Sequence, residues 1–138
     1  MSLQRISCAE VPDLPQATWT QAWRMGQEVV MSGMTAHPRM QQARGQTVSV
    51  YDETLIVLDK LDALVRACGG HRHNMVKTVV YVTDIAFKEA VGQARRDFFG
   101  QHYPCSTLVA VNALVFPELR VEIDAWARLD VDLRQPQE

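Results

Sequence analysis

Arg120-Val-Glu-Ile-Asp-Ala-Trp-Ala-Arg128 alternates without a break. In an extended chain Val121, Ile123, Ala125 and Ala127 fall on one side, and Arg120, Glu122, Asp124 and Trp126 on the other. Such a segment is a strand whose apolar face packs on another layer. Working back, Thr107–Val111 reads as a strand, joined to the first by a connection through Phe116-Pro117. Met75–Thr83 is rich in Val, Thr and Tyr and reads as a strand as well.

The covering layer is supplied by two amphipathic helices. Tyr51, Leu55, Leu58, Leu61, Val65 and Cys68 recur at steps of three and four, which places them on one helix face. Ser49 stands ahead as N-cap, Asp52 and Glu53 fill the first turn, and Gly69-Gly70 supplies the stop. A second helix follows Asp84, with Phe87, Val91, Ala94 and Phe98 on one face and Gly100 at its end.

The N-terminal part contributes three more strands. These are Leu3–Ala9, then Thr18–Met25 and Glu28–Ser32 as a hairpin turned at Gly26. Between the first two, Pro12 and Pro15 force an irregular link. Gly33–Gly45 reads as a loop. The order β-β-β-α-β-α-β-β predicts an α+β subunit: a mixed sheet with two helices packed on one face. Trp19, Trp23 and Trp126 argue against a bare opposite face, and self-association is the economical cover.

Composition fits a single domain over residues 1–138, with 131–138 as a tail. The chain has 138 residues, 47% apolar, and a formal charge of −2. No run of Lys or Arg exceeds two, so there is no basic footprint for nucleic acid. Arg95-Arg96 reads as a solvated helix face. No apolar run is long enough to span a bilayer, and no basic-then-apolar leader is present, so a cytoplasmic protein is expected. Cys8, Cys68 and Cys105 are odd in number and without metal-type spacing, consistent with reduced thiols. His71 and His73 share a strand face if extended, but no third ligand is near in sequence, and neither a metal nor a cofactor is expected.

Three stretches carry the functional signal. They are Trp19–Gly26 leading to Ser32-Gly33, Val76-Lys-Thr-Val-Val-Tyr-Val-Thr-Asp84, and Pro104–Val111 followed by Val121-Glu122-Ile123. In this order they resemble the YjgF/Rid family over nearly the whole chain. The resemblance implies a chorismate-mutase-like subunit, a homotrimer with three clefts between subunits, and a small-molecule ligand. In deaminating members a cleft Arg pairs with the substrate carboxylate and a Glu near the C-terminus positions or activates water. The substrates there are small enamines or imines, hydrolysed to ketoacid and ammonia.

Carried over residue by residue, Ser32, Gly33 and Glu122 match the family pattern. Trp19 stands where a Tyr is expected, Gly92 where an Asn is frequent, and Leu108 where a Cys is frequent. Ser106 occupies the place of the Arg. A guanidinium binds a carboxylate bidentately and with charge, whereas a hydroxyl offers one neutral hydrogen bond. Its loss weakens carboxylate binding by about 2–5 kcal/mol. Arg120 falls on the Glu122 face by alternation, where an ion pair with Glu122 or Asp124 is the favoured reading and a cleft anion the second. Ser106 has no sequence-placed base and reads as a plain hydroxyl donor. Cys105, on the face opposite Ser106, reads as a buried thiol. The function expected is metabolite binding in inter-subunit clefts with hydrolytic deamination of an altered substrate; a non-catalytic binding trimer is the alternative, and an endoribonuclease ranks last.

Overall fold

A computed structural model describes residues 2–42 and 47–136. Six strands form one mixed sheet: β1 (Leu3–Ile6), β2 (Ala22–Met25), β3 (Glu28–Met34), β4 (Met75–Val82), β5 (Cys105–Ala110) and β6 (Val121–Arg128). Their spatial order is β1-β2-β3-β6-β4-β5. Only β4 and β5 run parallel; the other pairs are antiparallel. The two long helices, α2 (Val50–Ala67) and α3 (Lys88–Phe99), follow a four-residue α1 (Arg39–Gln42). Among the described residues, no helix is long and apolar enough to cross a membrane.

The alternation of β6 is realised as read: Val121, Ile123, Ala125 and Ala127 are all fully buried. They meet Val57, Leu58, Leu61, Leu64 and Val65 of α2 and Val91 and Phe98 of α3 in one core. The Ser49 hydroxyl caps α2 by accepting from Asp52 N at 3.0 Å. Such a cap contributes roughly 1 kcal/mol. Gly69 leaves α2 at φ 83°, and Gly100 leaves α3 at φ 73°.

Several boundaries differ from the sequence expectation. The first strand stops at Ile6, and the strand expected from Thr18 begins only at Ala22. The hydroxyl of Ser32 and its backbone N–H tie the intervening bend to β3, through Thr20 O at 2.5 Å and Gln21 O at 2.9 Å. β3 runs on through Gly33 to Met34, and α1 occupies part of the expected Gly33–Gly45 loop, whose residues 43–45 lie outside the described residues. Asp84 caps a 3-10 turn at Ile85–Phe87, and α3 proper starts at Lys88. β5 starts at Cys105 rather than Thr107. After β6 the chain is tied back, with Asn74 Nδ2 donating to Val131 O at 2.7 Å and Leu133 N to His73 O at 3.0 Å.

β5 is a sheet edge, so Cys105 is exposed although it does face away from Ser106. The face of the sheet away from the helices carries Trp23, 37% exposed, and Val109, 40% exposed.

Candidate functional site

Strand register sorts the candidate residues onto two faces. Thr78 pairs with Ser106 on one side and Ala125 on the other, so all three point toward the helices. Tyr81 pairs with Glu122, and Val79 with Asp124, so these four point to the open face. Ser106 and Glu122 therefore lie on opposite faces of the sheet.

The open-face cluster centres on Glu122. Its carboxylate is pressed against Gly33 in β3. A Cβ at position 33 would lie 2.5 Å from Glu122 Oε2 and 2.7 Å from Asp124 Oδ1, so glycine is what permits the approach. Asp124 accepts from the Tyr81 hydroxyl at 2.8 Å. That bond pushes the Tyr81 phenol up. Burial, and then the neighbouring Asp124 charge, push the Glu122 carboxyl above the usual range. A carboxyl so raised moves toward the pH range in which it can both take and give a proton.

Ser32, next to Gly33, has its hydroxyl committed to Thr20 O, so it acts by fixing the bend that carries Trp19. Trp19 is 52% exposed and walls an open hollow of about 410 Å³ with Leu14, Pro15, Gln16 and Ala17.

The second cluster lies between α3 and the edge strand β5. Gly92, Arg95, Arg96 and Phe99 follow one another at helical spacing along the α3 face beside β5. With Thr78, Tyr103, Pro104 and Ser106 they line a hollow of about 300 Å³. Arg95 Nη1 donates to Ser106 Oγ at 2.8 Å. Leu108, on the same strand face as Ser106, packs against the core.

Arg120 belongs to neither cluster. β6 begins at Val121, and Arg120 is turned toward α2 rather than toward Glu122 or Asp124. Its Nε donates to Glu53 Oε1 at 2.8 Å, and its backbone N–H to Glu53 Oε2 at 2.7 Å. Its Nη2 also donates to Val48 O. Glu53, read from sequence as a first-turn helix acid, is fully buried.

The sequence reading missed Arg95, Thr78 and Tyr81. For Arg95 the available signal was its spacing from Gly92 and Phe99, which puts it on a flank of the α3 face rather than opposite the core. Among the described residues, no group of three or more His, Cys, Asp or Glu side chains is placed to hold a metal ion.

Comparison with known proteins gives this geometry a family. The Endoribonuclease L-PSP family model matches residues 11–129. A protein of unknown function from Pseudomonas aeruginosa is 53% identical, with a TM-score of 0.96 and 99% of both chains covered. A Mycobacterium tuberculosis member of the YjgF/YER057c/UK114 family is 29% identical, with a TM-score of 0.76 over 92% of this chain and 99% of that one. A Rid-family protein of unknown function from Yersinia pestis is 25% identical, with a TM-score of 0.78 over 92% and 99%. No protein with a curated description matches. The sheet order, the two helices on one face and the matched span agree: this chain belongs to the Endoribonuclease L-PSP family, also called YjgF/Rid.

Proposed function

We propose that this protein is a homotrimer that binds a small metabolite in clefts between its subunits and hydrolyses it as an enamine or imine. The observation that carries the reading is the state of Glu122. It is a half-buried carboxylate with a raised pKa, set against the bare backbone of Gly33 on an exposed sheet face. Ser106 and Glu122 cannot share a site within one chain, because the sheet separates them. A second copy laid on the open face supplies what one chain lacks, and also covers Trp23, Val109 and the β5 edge.

In such a cleft Glu122 takes a proton from water as the oxygen attacks the imine carbon. The resulting carbinolamine carries the new C–O bond. Glu122 returns that proton to nitrogen, leaving an amino group beside the new hydroxyl. It then relays the hydroxyl proton to the same nitrogen as the C=O bond forms and the C–N bond breaks, and the products are a carbonyl compound and ammonia. The test is ammonia release from an enamine generated in situ, comparing wild type with Glu122→Gln. Equal rates remove Glu122 from the mechanism.

A non-catalytic binding trimer is the second reading. It is favoured by the absence of any hydrogen-bonded acid or base partner for Glu122 among the described residues, Asp124 being turned to Tyr81. Ribonuclease action has the weakest support, since the carboxylates of Glu122 and Asp124 would repel a phosphate backbone.

A further inference from the structure

We infer that Arg95, carried on helix α3, is the carboxylate-binding group of this protein, with the hydroxyls of Ser106 and Thr78 completing the subsite. The inference rests on the cleft proposed above and names the ligand class for it: a small carboxylate with an apolar body.

Three observations converge. Arg95 makes no ion pair among the described residues, although it is half-buried and stands beside another cation, Arg96. A guanidinium so placed has an unmet demand for an anion. Its one side-chain partner is the neutral Ser106 hydroxyl, which accepts from Nη1 at 2.8 Å. That bond leaves the hydroxyl's own hydrogen free to donate to a ligand. Finally, Thr78 is 1% exposed, lines the same hollow, and its Oγ1 has no hydrogen-bond partner. Buried hydroxyls are almost always paired, so an orphan in a hollow beside a free cation points to a bound polar group. The other lining residues are Gly92, Arg96, whose Nη2 donates to Gln93 Oε1 at 3.0 Å, and Phe99, Tyr103 and Pro104, which suit an apolar body.

The serine at 106 and the arginine at 95 are one arrangement. An arginine at 106 would fill the hollow and set like charges together. A serine leaves room for the guanidinium to arrive from the helix. The charge is thus retained while the element that carries it changes.

The experiment compares benzoate with its neutral isostere benzamide by calorimetric titration of the whole oligomer. Wild type should prefer benzoate by at least about tenfold, the scale of a charge-assisted bidentate pair. Arg95→Gln should abolish the preference. Adding Ser106→Arg to Arg95→Gln should restore it, because the guanidinium then returns from the strand side. Arg95→Lys, which keeps charge without the planar fork, should fall between. The oligomer mass and circular dichroism of each variant establish that it is folded. A preference that survives Arg95→Gln, or no preference in wild type, overturns the inference. Glu122→Gln separates the two proposals: loss of hydrolysis with the benzoate preference intact supports both. Hydrolysis of a carboxylate-bearing enamine that is unchanged by Arg95→Gln refutes the role of Arg95 and leaves that of Glu122 standing.

Discussion

Glu122 and Ser106 lie on opposite faces of one sheet, separated by the thickness of the backbone layer. The register leaves no freedom in this. Thr78 and Tyr81, their partners on β4, are three residues apart in a strand of period two. Any ligand that touches both residue types touches two copies of the chain.

Assembly depends on covering the open face and the β5 edge. Val109→Asp places a charge on that face without touching the core, since Val109 is 40% exposed. Sedimentation should give three chain masses for wild type and one for the variant. Circular dichroism should be unchanged.

Gly33→Ala separates stability from function. The new Cβ meets the far ends of the Glu122 and Asp124 side chains, which can swing aside. The melting free energy should change by less than about 1 kcal/mol, as for a local side-chain shift. Enamine hydrolysis should fall by at least about tenfold, because the carboxylate no longer sits where it did.

The raised Glu122 has a signed effect on stability. The folded state holds this proton more tightly than the unfolded chain does. Stability is therefore lost as pH rises from the ordinary Glu range through the raised value, and the whole cost is present above it. Glu122→Gln removes the cost. Its melting temperature should exceed that of wild type near about pH 8, and the difference should shrink toward about pH 4. In activity, Asp124→Asn removes the neighbouring charge and should shift the acid limb of the rate profile to lower pH.

Glu53 fastens α2 to the start of β6. Itself fully buried, it accepts from two backbone N–H groups and from the Arg120 guanidinium. Glu53→Ala leaves these donors unpaired and should destabilise by about 3–5 kcal/mol in denaturant titration. By contrast, Gly92→Ala should stabilise by about 0.5–1 kcal/mol. Its Cβ would meet nothing nearer than Arg96 Nη1 at 3.7 Å.

How far the sequence carried these conclusions depends on which interactions are local. The alternation of Val121–Ala127, the periodic face of α2 and its Ser49 cap are local, and all are realised. Strand ends were less legible because they depend on partners. β2 cannot begin at Thr18, since the bend at 18–21 is held by Ser32 from another strand. Alternation failed at Arg120 for the same reason: the strand has not yet begun there, and a distant buried acid claims the side chain. Cys105 shows a related limit, because parity gives the face of a residue but not whether that face is covered. Solvation is the local expectation for Arg95, because its hollow, whose lining holds no acidic side chain, forms only when α3 meets β5.

The proposed site joins the Arg95–Ser106 hollow of one copy to the Glu122 face of another. Mixing two defective variants tests it directly. Arg95→Gln and Glu122→Gln are each expected to be inactive alone on a carboxylate-bearing enamine. Unfolded together and refolded into mixed oligomers, they should recover about one quarter of wild-type activity, the fraction of interfaces that pair two intact halves. No recovery in mixed oligomers of verified composition would contradict a site shared between subunits.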